Sequence, residues 1–191
     1  MSIGKRIETA CTTMAAGDAE SALIPACIAA AATAKKAYPS ASDNVGFKTW
    51  LHDHLGLVTR IASGGFLIIN CGFNVGIVHP DLRPDREGNV TFEQVFYHLI
   101  RCGLVHTAQL PSQLEFVRSD VIVRSEGGKL QLTERFVDGL IWASVVDPRN
   151  SNERVSANLT RPFYGQRLYV NAYWGQKAKL EQALEASRRS H

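Results

Sequence analysis

The chain has 191 residues, of which 45% are hydrophobic and 20% are charged. These values are typical of a single globular domain, and they exclude both a disordered chain and a small scaffold that needs disulfides or a structural metal to fold. The formal net charge of +3 neither requires nor excludes a polyanionic partner.

Helical patterns dominate the N-terminal third of the chain. Apolar residues recur at helical spacing over residues 3–16. Asp18 is a predicted N-cap for an alanine-rich helix over residues 19–37, whose small side chains predict a buried helix that a neighbour can approach closely. A third helix is predicted from Asp43 to about Leu57.

The pattern then breaks and resumes. Glycine pairs and the run 80–88 prevent a long helix, so we interpret residues 60–90 as an irregular insertion. A fourth helix is predicted after Thr91, an N-cap that Gln94 would complete as a capping box. Its apolar stripe runs to Ile100.

Extended patterns follow this helix. Residues 115–123 and 129–132 flank the turn sequence Glu126-Gly127-Gly128 and predict a small β-hairpin. Thr133 is then predicted to cap a helix over residues 134–146.

The C-terminal part, residues 148–191, is basic. It carries eight arginines and lysines against three acidic residues, a net charge of +5, so the rest of the chain is near −2. Residues 150–174 are predicted to be loop-like and 176–189 to be helical. We expect this part to pack on the domain formed by residues 1–147. The basic residues of this part could contact phosphates or form a solvated surface, and the solvated surface is the simpler interpretation.

One short segment combines residues suited to chemistry, Tyr97-His98-Leu99-Ile100-Arg101-Cys102-Gly103-Leu104-Val105-His106. An arginine and a histidine are separated by four residues at the end of an amphipathic helix. This segment resembles the signature of the HEPN superfamily, an arginine, four to six residues and a histidine on a helix of a compact bundle. The resemblance implies a mainly α fold, a HEPN-like helical bundle, with the β-hairpin after the motif helix.

The resemblance also implies an activity. HEPN ribonucleases cleave RNA without a metal, through attack of the 2′-hydroxyl on the adjacent phosphate. His106 would transfer protons and Arg101 would stabilise the phosphate charge, with Tyr97 and Cys102 flanking them. Residues five apart lie about 140° apart on an ideal helix, so one copy of the motif splays the pair. In HEPN proteins a two-fold homodimer brings two copies together.

The predicted function is therefore a metal-independent endoribonuclease with a composite site at a homodimer interface and without a cofactor. It would act on RNA as a toxin or defence element, restrained by an antitoxin-like protein partner. Cys102 departs from this pattern, because active members often carry Asn, Asp or His there and a thiol is a poorer hydrogen-bonding group. The alternative is a non-catalytic HEPN-like binding or dimerisation module for nucleotide, RNA or protein. A third interpretation is an unrelated helical protein with Arg101 at a helix C-terminus.

Three further groups of residues are candidate sites. His52 and His54 are two apart on a predicted helix and point to different faces, which disfavours a metal site. Cys102 and His106 are four apart, within reach of each other as a nucleophile and base. The remaining group consists of aromatic residues that could stack on bases, together with the arginines near these residues. Packing is the simpler role for this group. Its members are Tyr164, Tyr169, Tyr173, Trp174, Arg161 and Arg167.

The compartment predicted from the sequence is the cytoplasm. The cysteines, Cys11, Cys27, Cys71 and Cys102, form no Cys-x-x-Cys pair and are expected to be reduced thiols. The first residues lack the apolar core of a signal peptide. The longest apolar stretch, residues 23–34, has about half the length of a membrane span, so no membrane association is expected.

Overall fold

A computed structural model shows a predominantly helical protein. The structure describes residues 2–65, 72–73, 79–107, 112, 114–118, 123–126, 129–156, 159–164 and 166–189, without the side chains at 72–73, 105–107, 123–126 and 188–189. Cys71, much of the predicted insertion (66–71 and 74–78) and the predicted hairpin turn at 127–128 lie outside the described residues.

The helices and strands follow one another along the chain. The α-helices are α1 (Ile3–Ala15), α2 (Ala19–Ala37), α3 (Asp43–Ala62), α4 (Phe92–Val95), α5 (Cys102–Thr107), α6 (Arg135–Val146) and α7 (Lys177–Arg189). The strands are β1 (Gly72–Phe73), β2 (Val90–Thr91), β3 (Leu114–Val117), β4 (Val123–Glu126), β5 (Lys129–Thr133), β6 (Thr160–Phe163) and β7 (Gln166–Tyr169). A π-helix, Phe96–Arg101, joins α4 to α5, and we call residues 92–107 the motif helix.

Side-chain caps set the starts of the first helices. Ser2, Asp18 and Ser42 each accept a hydrogen bond from a backbone N–H three residues further on, as N-caps do. The prediction for Asp18 is confirmed. The third helix begins at Asp43 as predicted, but its predicted end at Leu57 is wrong, because α3 continues for five more residues.

The extension of α3 has a packing reason. Val58, Ile61 and Ala62 are buried, so the apolar face of α3 extends beyond Leu57. The helix stops only where Gly64 and Gly65 adopt positive φ angles of 72° and 135°, which favour glycine.

The core is built around α6. Ten of its twelve residues are buried, as expected for a central helix that is apolar on all sides. It packs against both α2 and α3. The approach to α3 is close at Gly139, where an added Cβ would lie 2.8 Å from the Val58 carbonyl oxygen. Alanines on α2 allow similarly close packing, since Ala22, Ala26 and many others there are fully buried.

Three small sheets complete the described structure. Strand β1 pairs with β2, and β6 pairs with β7, both antiparallel. A hairpin is present as β4 and β5, but the predicted first strand 115–123 is wrong, because β3 and β4 are separate strands and β3 pairs with β5 in parallel. The strand order is therefore β3-β5-β4.

One predicted cap and one predicted capping box differ from the structure. Thr133 is the last residue of β5, and Glu134 precedes α6 without a side-chain cap. Thr91 does cap α4 by accepting a hydrogen bond from Gln94 N–H. The Gln94 side chain, however, accepts a hydrogen bond from Arg83 N–H at 3.0 Å instead of completing a capping box.

The predicted loop over residues 150–174 contains the hairpin β6–β7, so that prediction is wrong. The strand β6 contains Pro162, which usually argues against a strand but is tolerated at the edge of a sheet. Burial alternates along β6, with Arg161 and Phe163 buried and Pro162 exposed. Phe163 packs edge-on against Trp142 of α6 at 5.7 Å between ring centroids. The terminal helix α7 matches its prediction to within one residue.

A loop late in the chain holds the start of α1. The Glu153 carboxylate accepts a hydrogen bond from Gly4 N–H at 2.8 Å, and it pairs with Lys36 at 3.0 Å. Burial raises the pKa of the Glu153 carboxylate, but these hydrogen bonds and the Lys36 charge outweigh it and hold that pKa below its usual value. Gly4 fits closely, because an added Cβ would lie 2.1 Å from the Arg154 carbonyl oxygen.

Candidate functional site

The motif helix changes its winding just before the predicted catalytic arginine. Residues 96–101 form a π-helix, whereas the sequence predicted a regular α-helix. Such turns are rare and are frequently found at functional sites. The α-helical winding resumes at Cys102 and continues through His106, so Arg101 and His106 lie on one continuous helical segment. The His106 side chain lies outside the described residues.

Arg101 is held by a carboxylate from another helix. Its Nη1 lies 2.8 Å from Asp43 Oδ2, and its Nη2 donates to Asp43 Oδ1 at 2.9 Å. This is the two-pronged pairing that arginine and carboxylate groups favour. Tyr97 contributes twice, since its hydroxyl donates to Asp43 Oδ2 at 2.8 Å and its ring lies 5.2 Å from the Arg101 guanidinium carbon. We call Asp43, Tyr97 and Arg101 the Asp43 clamp.

The clamp is largely buried at Arg101 and exposed at Asp43. The Arg101 side chain is 15% exposed, whereas the Asp43 side chain is 54% exposed. Asp43 lies in the first turn of α3, where the helix dipole favours negative charge. Burial, and then the hydrogen bond to Asp43, raise the pKa of Tyr97 above its usual value, so the phenol keeps the proton that it donates. Sequence analysis identified Arg101 and Tyr97 but missed Asp43, which is 58 residues away.

Cys102 faces the interior of the bundle. It is half-buried and packs against the hydrophobic core. It therefore contributes apolar contacts to the core. The proposed Cys102–His106 pair stays a prediction, because the His106 side chain is not among those described.

A second group of side chains lies beside the clamp. The His98 ring is 6.3 Å from the His79 ring and 5.0 Å from the Tyr97 ring. Burial lowers the pKa of His98, and the nearby Lys48, His79 and Arg83 act in the same direction, against Asp81. We call Lys48, His79, Arg83 and His98 the His98 patch. Sequence analysis did not identify it, because its members come from α3, the 79–83 segment and the motif helix.

The other candidate groups do not assemble into sites. His52 Nδ1 lies 2.7 Å from Glu93 Oε1, whereas His54 points inward. Among the residues that the structure describes, no cluster of three or more metal-ligating side chains is present. Of the aromatic group, Tyr173 and Trp174 are buried, and Arg161 is buried against Asp138. Tyr169 is 57% exposed. Packing therefore accounts for most of this group.

Comparison with known proteins places the chain in a family. The model of the Rv1289 family matches residues 2–191. The chain belongs to the Rv1289 family. The protein Rv1289 of Mycobacterium tuberculosis strain H37Rv and the protein Mb1320 of Mycobacterium bovis are each 26% identical to it over 173 residues, covering 88% of this chain and 81% of each relative.

Both relatives are described as uncharacterized proteins, so their names assign no activity to the Rv1289 family. No solved structure matches the chain. These matches do not bear on HEPN membership, which stays a prediction. In the described part of this Rv1289-family chain, no helix is long and apolar enough to cross a membrane.

A buried histidine gives this chain a defined pH response. His54 Nδ1 donates to the Trp50 carbonyl at 2.8 Å, and His54 Nε2 faces Asp147 Oδ2 at 3.6 Å. Burial lowers the pKa of His54, with Lys177 in the same direction and Asp147 and Asp53 opposing. In the unfolded chain the ring binds a proton near pH 6.5, whereas in the folded chain it does so only at lower pH. The contribution of His54 to stability is therefore fully present above pH 6.5. It is lost as the pH falls from that value towards the lower pKa of the folded chain.

We expect the free energy of unfolding to decrease between about pH 7.5 and pH 5.5, by at most about 1.4 kcal/mol per pH unit for this group. Urea titrations across this range should show a shallower decrease for His54→Gln than for the parent. His98→Gln should also make the decrease shallower, because the pKa of His98 is lowered in the same direction. An equally steep decrease in His54→Gln would contradict the assignment.

Proposed function

We propose that this Rv1289-family chain is a non-catalytic HEPN-like helical module that forms a homodimer and binds RNA beside the motif helix. The observation that carries the proposal is the Asp43 clamp, because both terminal nitrogens of Arg101 face the Asp43 carboxylate. The charge that would stabilise a phosphate is therefore already paired within the chain.

The clamp opposes catalysis for an electrostatic reason. A phosphate at Arg101 would have to approach the Asp43 carboxylate, and like charges at such short range repel. It would also have to compete with a two-pronged, charge-assisted interaction. Cys102, which packs against the core, also supplies only a thiol, a weak hydrogen-bonding group, next to Arg101. The Arg101 side chain thus supports the start of α3 against the motif helix.

The His98 patch supports RNA as the ligand. Lys48, His79 and Arg83 lie near enough to His98 to lower its pKa against the opposing Asp81, and Arg83 is exposed. Backbone N–H and carbonyl contacts hold Arg83 in place, with Gln94 accepting from its N–H and the Leu82 carbonyl accepting from its guanidinium at 3.1 Å. Positioned cations of this kind bind phosphates, with an affinity that depends on salt concentration.

Two assays on the same protein test this proposal. Fluorescence anisotropy with a labelled single-stranded RNA should show binding that weakens as salt rises. Lys48→Gln and Arg83→Gln should each reduce the salt slope by roughly 0.7, the value for one phosphate contact on a single strand. Arg118→Gln, which removes an exposed arginine beyond β3, is the matched control and should leave the slope unchanged.

RNA cleavage in EDTA is the second assay. The parent, Arg101→Ala and Asp43→Asn should all leave the RNA intact. Absence of RNA binding by the parent would overturn RNA as the ligand, whereas cleavage by the parent would overturn the non-catalytic assignment.

One observation favours a second candidate, the metal-independent HEPN endoribonuclease with an antitoxin-like protein partner. Arg101 and His106 share one continuous helical segment, as the HEPN signature requires. Under this candidate, two copies of the motif meet in the homodimer and the partner restrains cleavage. Cleavage in EDTA that leaves 2′,3′-cyclic phosphate ends, and that both Arg101→Ala and His106→Ala abolish, would establish it.

A further inference from the structure

Strand β3 forms one edge of the three-stranded sheet, because it pairs with β5 alone among the described strands. Glu134 N–H, just after β5, donates to the Val117 carbonyl at 3.3 Å, so this carbonyl points towards the β5 side. Backbone groups alternate in direction along a strand, so the N–H and carbonyl groups of Leu114 and Phe116 point away from β5. Within the described part of the chain, neither residue forms a backbone hydrogen bond on that outer side.

A groove of about 420 Å³ lies beside this edge. One wall consists of residues 17–20, which form the turn before α2 and its first residues, and the other wall includes residues 114–116 of β3. Side chains of consecutive strand residues point to opposite faces of a sheet, so a groove lined by three in a row lies at the strand edge. The described lining includes no residue of β5, as expected on the outer side of β3. We call this opening the β3 groove.

The described lining of the β3 groove is acidic, with four carboxylates and no lysine, arginine or histidine. The four residues are Asp18, Glu20, Glu115 and Glu134. Lys129 pairs with Glu115 at 3.2 Å, and Arg118 pairs with Glu134 at 3.3 Å. Four negative charges against these two positive ones leave a net charge of −2, and Glu20 is exposed.

The edge and the charge together select the kind of partner. An extended segment can pair with the outer edge of a strand through main-chain hydrogen bonds. A second copy of β3 at this position would bring the same carboxylates against the first set, and like charges repel. A segment that carries lysine or arginine instead complements the charge of the groove.

We infer that the β3 groove binds an extended, basic segment of a partner protein, which adds a strand to the sheet. The main chain of this segment pairs with Leu114 and Phe116, and its cations lie near Glu20 and Glu115. The β3 groove is separate from the motif helix, and the inference does not depend on the function proposed there.

Fluorescence anisotropy with labelled peptides and the full chain tests this inference. The probe is an alternating lysine–valine hexapeptide. One counterpart carries glutamate in place of lysine, and the other keeps lysine but is N-methylated along its backbone. We expect the probe to bind about tenfold or more tightly than either counterpart, because the first loses the complementary charge and the second loses the main-chain donors.

Variants of the groove complete the test. Glu20→Gln and Glu115→Gln should each weaken binding of the probe by about two- to fivefold, the effect of one exposed charge pair. Glu185→Gln, which removes an exposed carboxylate on α7, is the matched control and should bind as the parent does. Thermal melts establish that each variant is folded.

Three results would overturn the inference of a strand-forming basic partner. The first is absence of probe binding, or unchanged binding by both folded groove variants. The second is equal binding of the N-methylated peptide, which would show charge attraction without strand pairing. The third is weaker self-association of the groove variants in sedimentation, which would assign the β3 groove to a second copy of the chain.

Discussion

Replacement of Asp138 by asparagine should lower the free energy of unfolding by about 3–5 kcal/mol, the usual cost of leaving one member of a buried ion pair without its partner. Arg161 is only 5% exposed and Asp138 only 13% exposed. Arg161 donates to Asp138 Oδ1 through both Nε and Nη2, and its Nη1 donates to the Cys11 carbonyl at 3.4 Å. Asparagine keeps the shape but leaves the guanidinium charge buried and uncompensated.

Urea unfolding at neutral pH measures this effect. Glu134→Gln is the matched control, because Glu134 pairs with Arg118 at 3.3 Å while Arg118 is 82% exposed. Such exposed pairs contribute about 0–1 kcal/mol. The double variant Asp138→Leu with Arg161→Met should recover much of the loss, since apolar replacements avoid a buried charge. An Asp138→Asn loss no larger than that of Glu134→Gln would contradict a structural role for this pair.

Replacement of Asp147 by alanine should also cost about 3–5 kcal/mol, because Asp147 is fully buried and satisfies several donors at once. Its Oδ2 accepts from Trp50 Nε1 at 3.0 Å, and its Oδ1 accepts from Arg149 N–H at 2.9 Å. Alanine leaves both donors without a partner where α6 ends against α3.

Thermal and urea unfolding of Asp147→Ala should be compared with Asp147→Asn. Asparagine keeps one carbonyl oxygen, which can accept from one of the two donors, so its loss should be smaller. Equal stability of the alanine variant and the parent would show that the two donors find other partners.

Much of the fold could be predicted because its signals are local. Apolar spacing predicts α1, Asp18 marks the start of α2, and Thr91 marks the start of the motif helix. The β6–β7 hairpin was not predicted, because Pro162 argues against a strand. In addition, an arginine in a sequence is usually interpreted as a surface residue, whereas Arg161 is buried. Tertiary contacts favour that strand, among them the pairing of Arg161 with Asp138 and the packing of Phe163 on Trp142.

The candidate site was harder to predict. The segment around Arg101 is local and conspicuous, and Tyr97 does contact the arginine. The carboxylate that changes its chemistry comes from Asp43, and no short-range pattern links residues so far apart. The same applies to the His98 patch, since Lys48 and Arg83 approach His98 only in the folded chain. The π-helical winding was not predicted either, because the apolar stripe up to Ile100 is compatible with an α-helix.

The contact between Glu153 and Gly4 has a consequence for biosynthesis. The two residues are 149 positions apart, so the first helix leaves the ribosome long before the carboxylate that completes its N-terminus exists. At translation rates of roughly 5–20 residues per second, this interval lasts on the order of 10 s. During that time α1 depends on its own Ser2 cap and on α2. The nascent chain should therefore become resistant to proteases at its N-terminal end only late in synthesis.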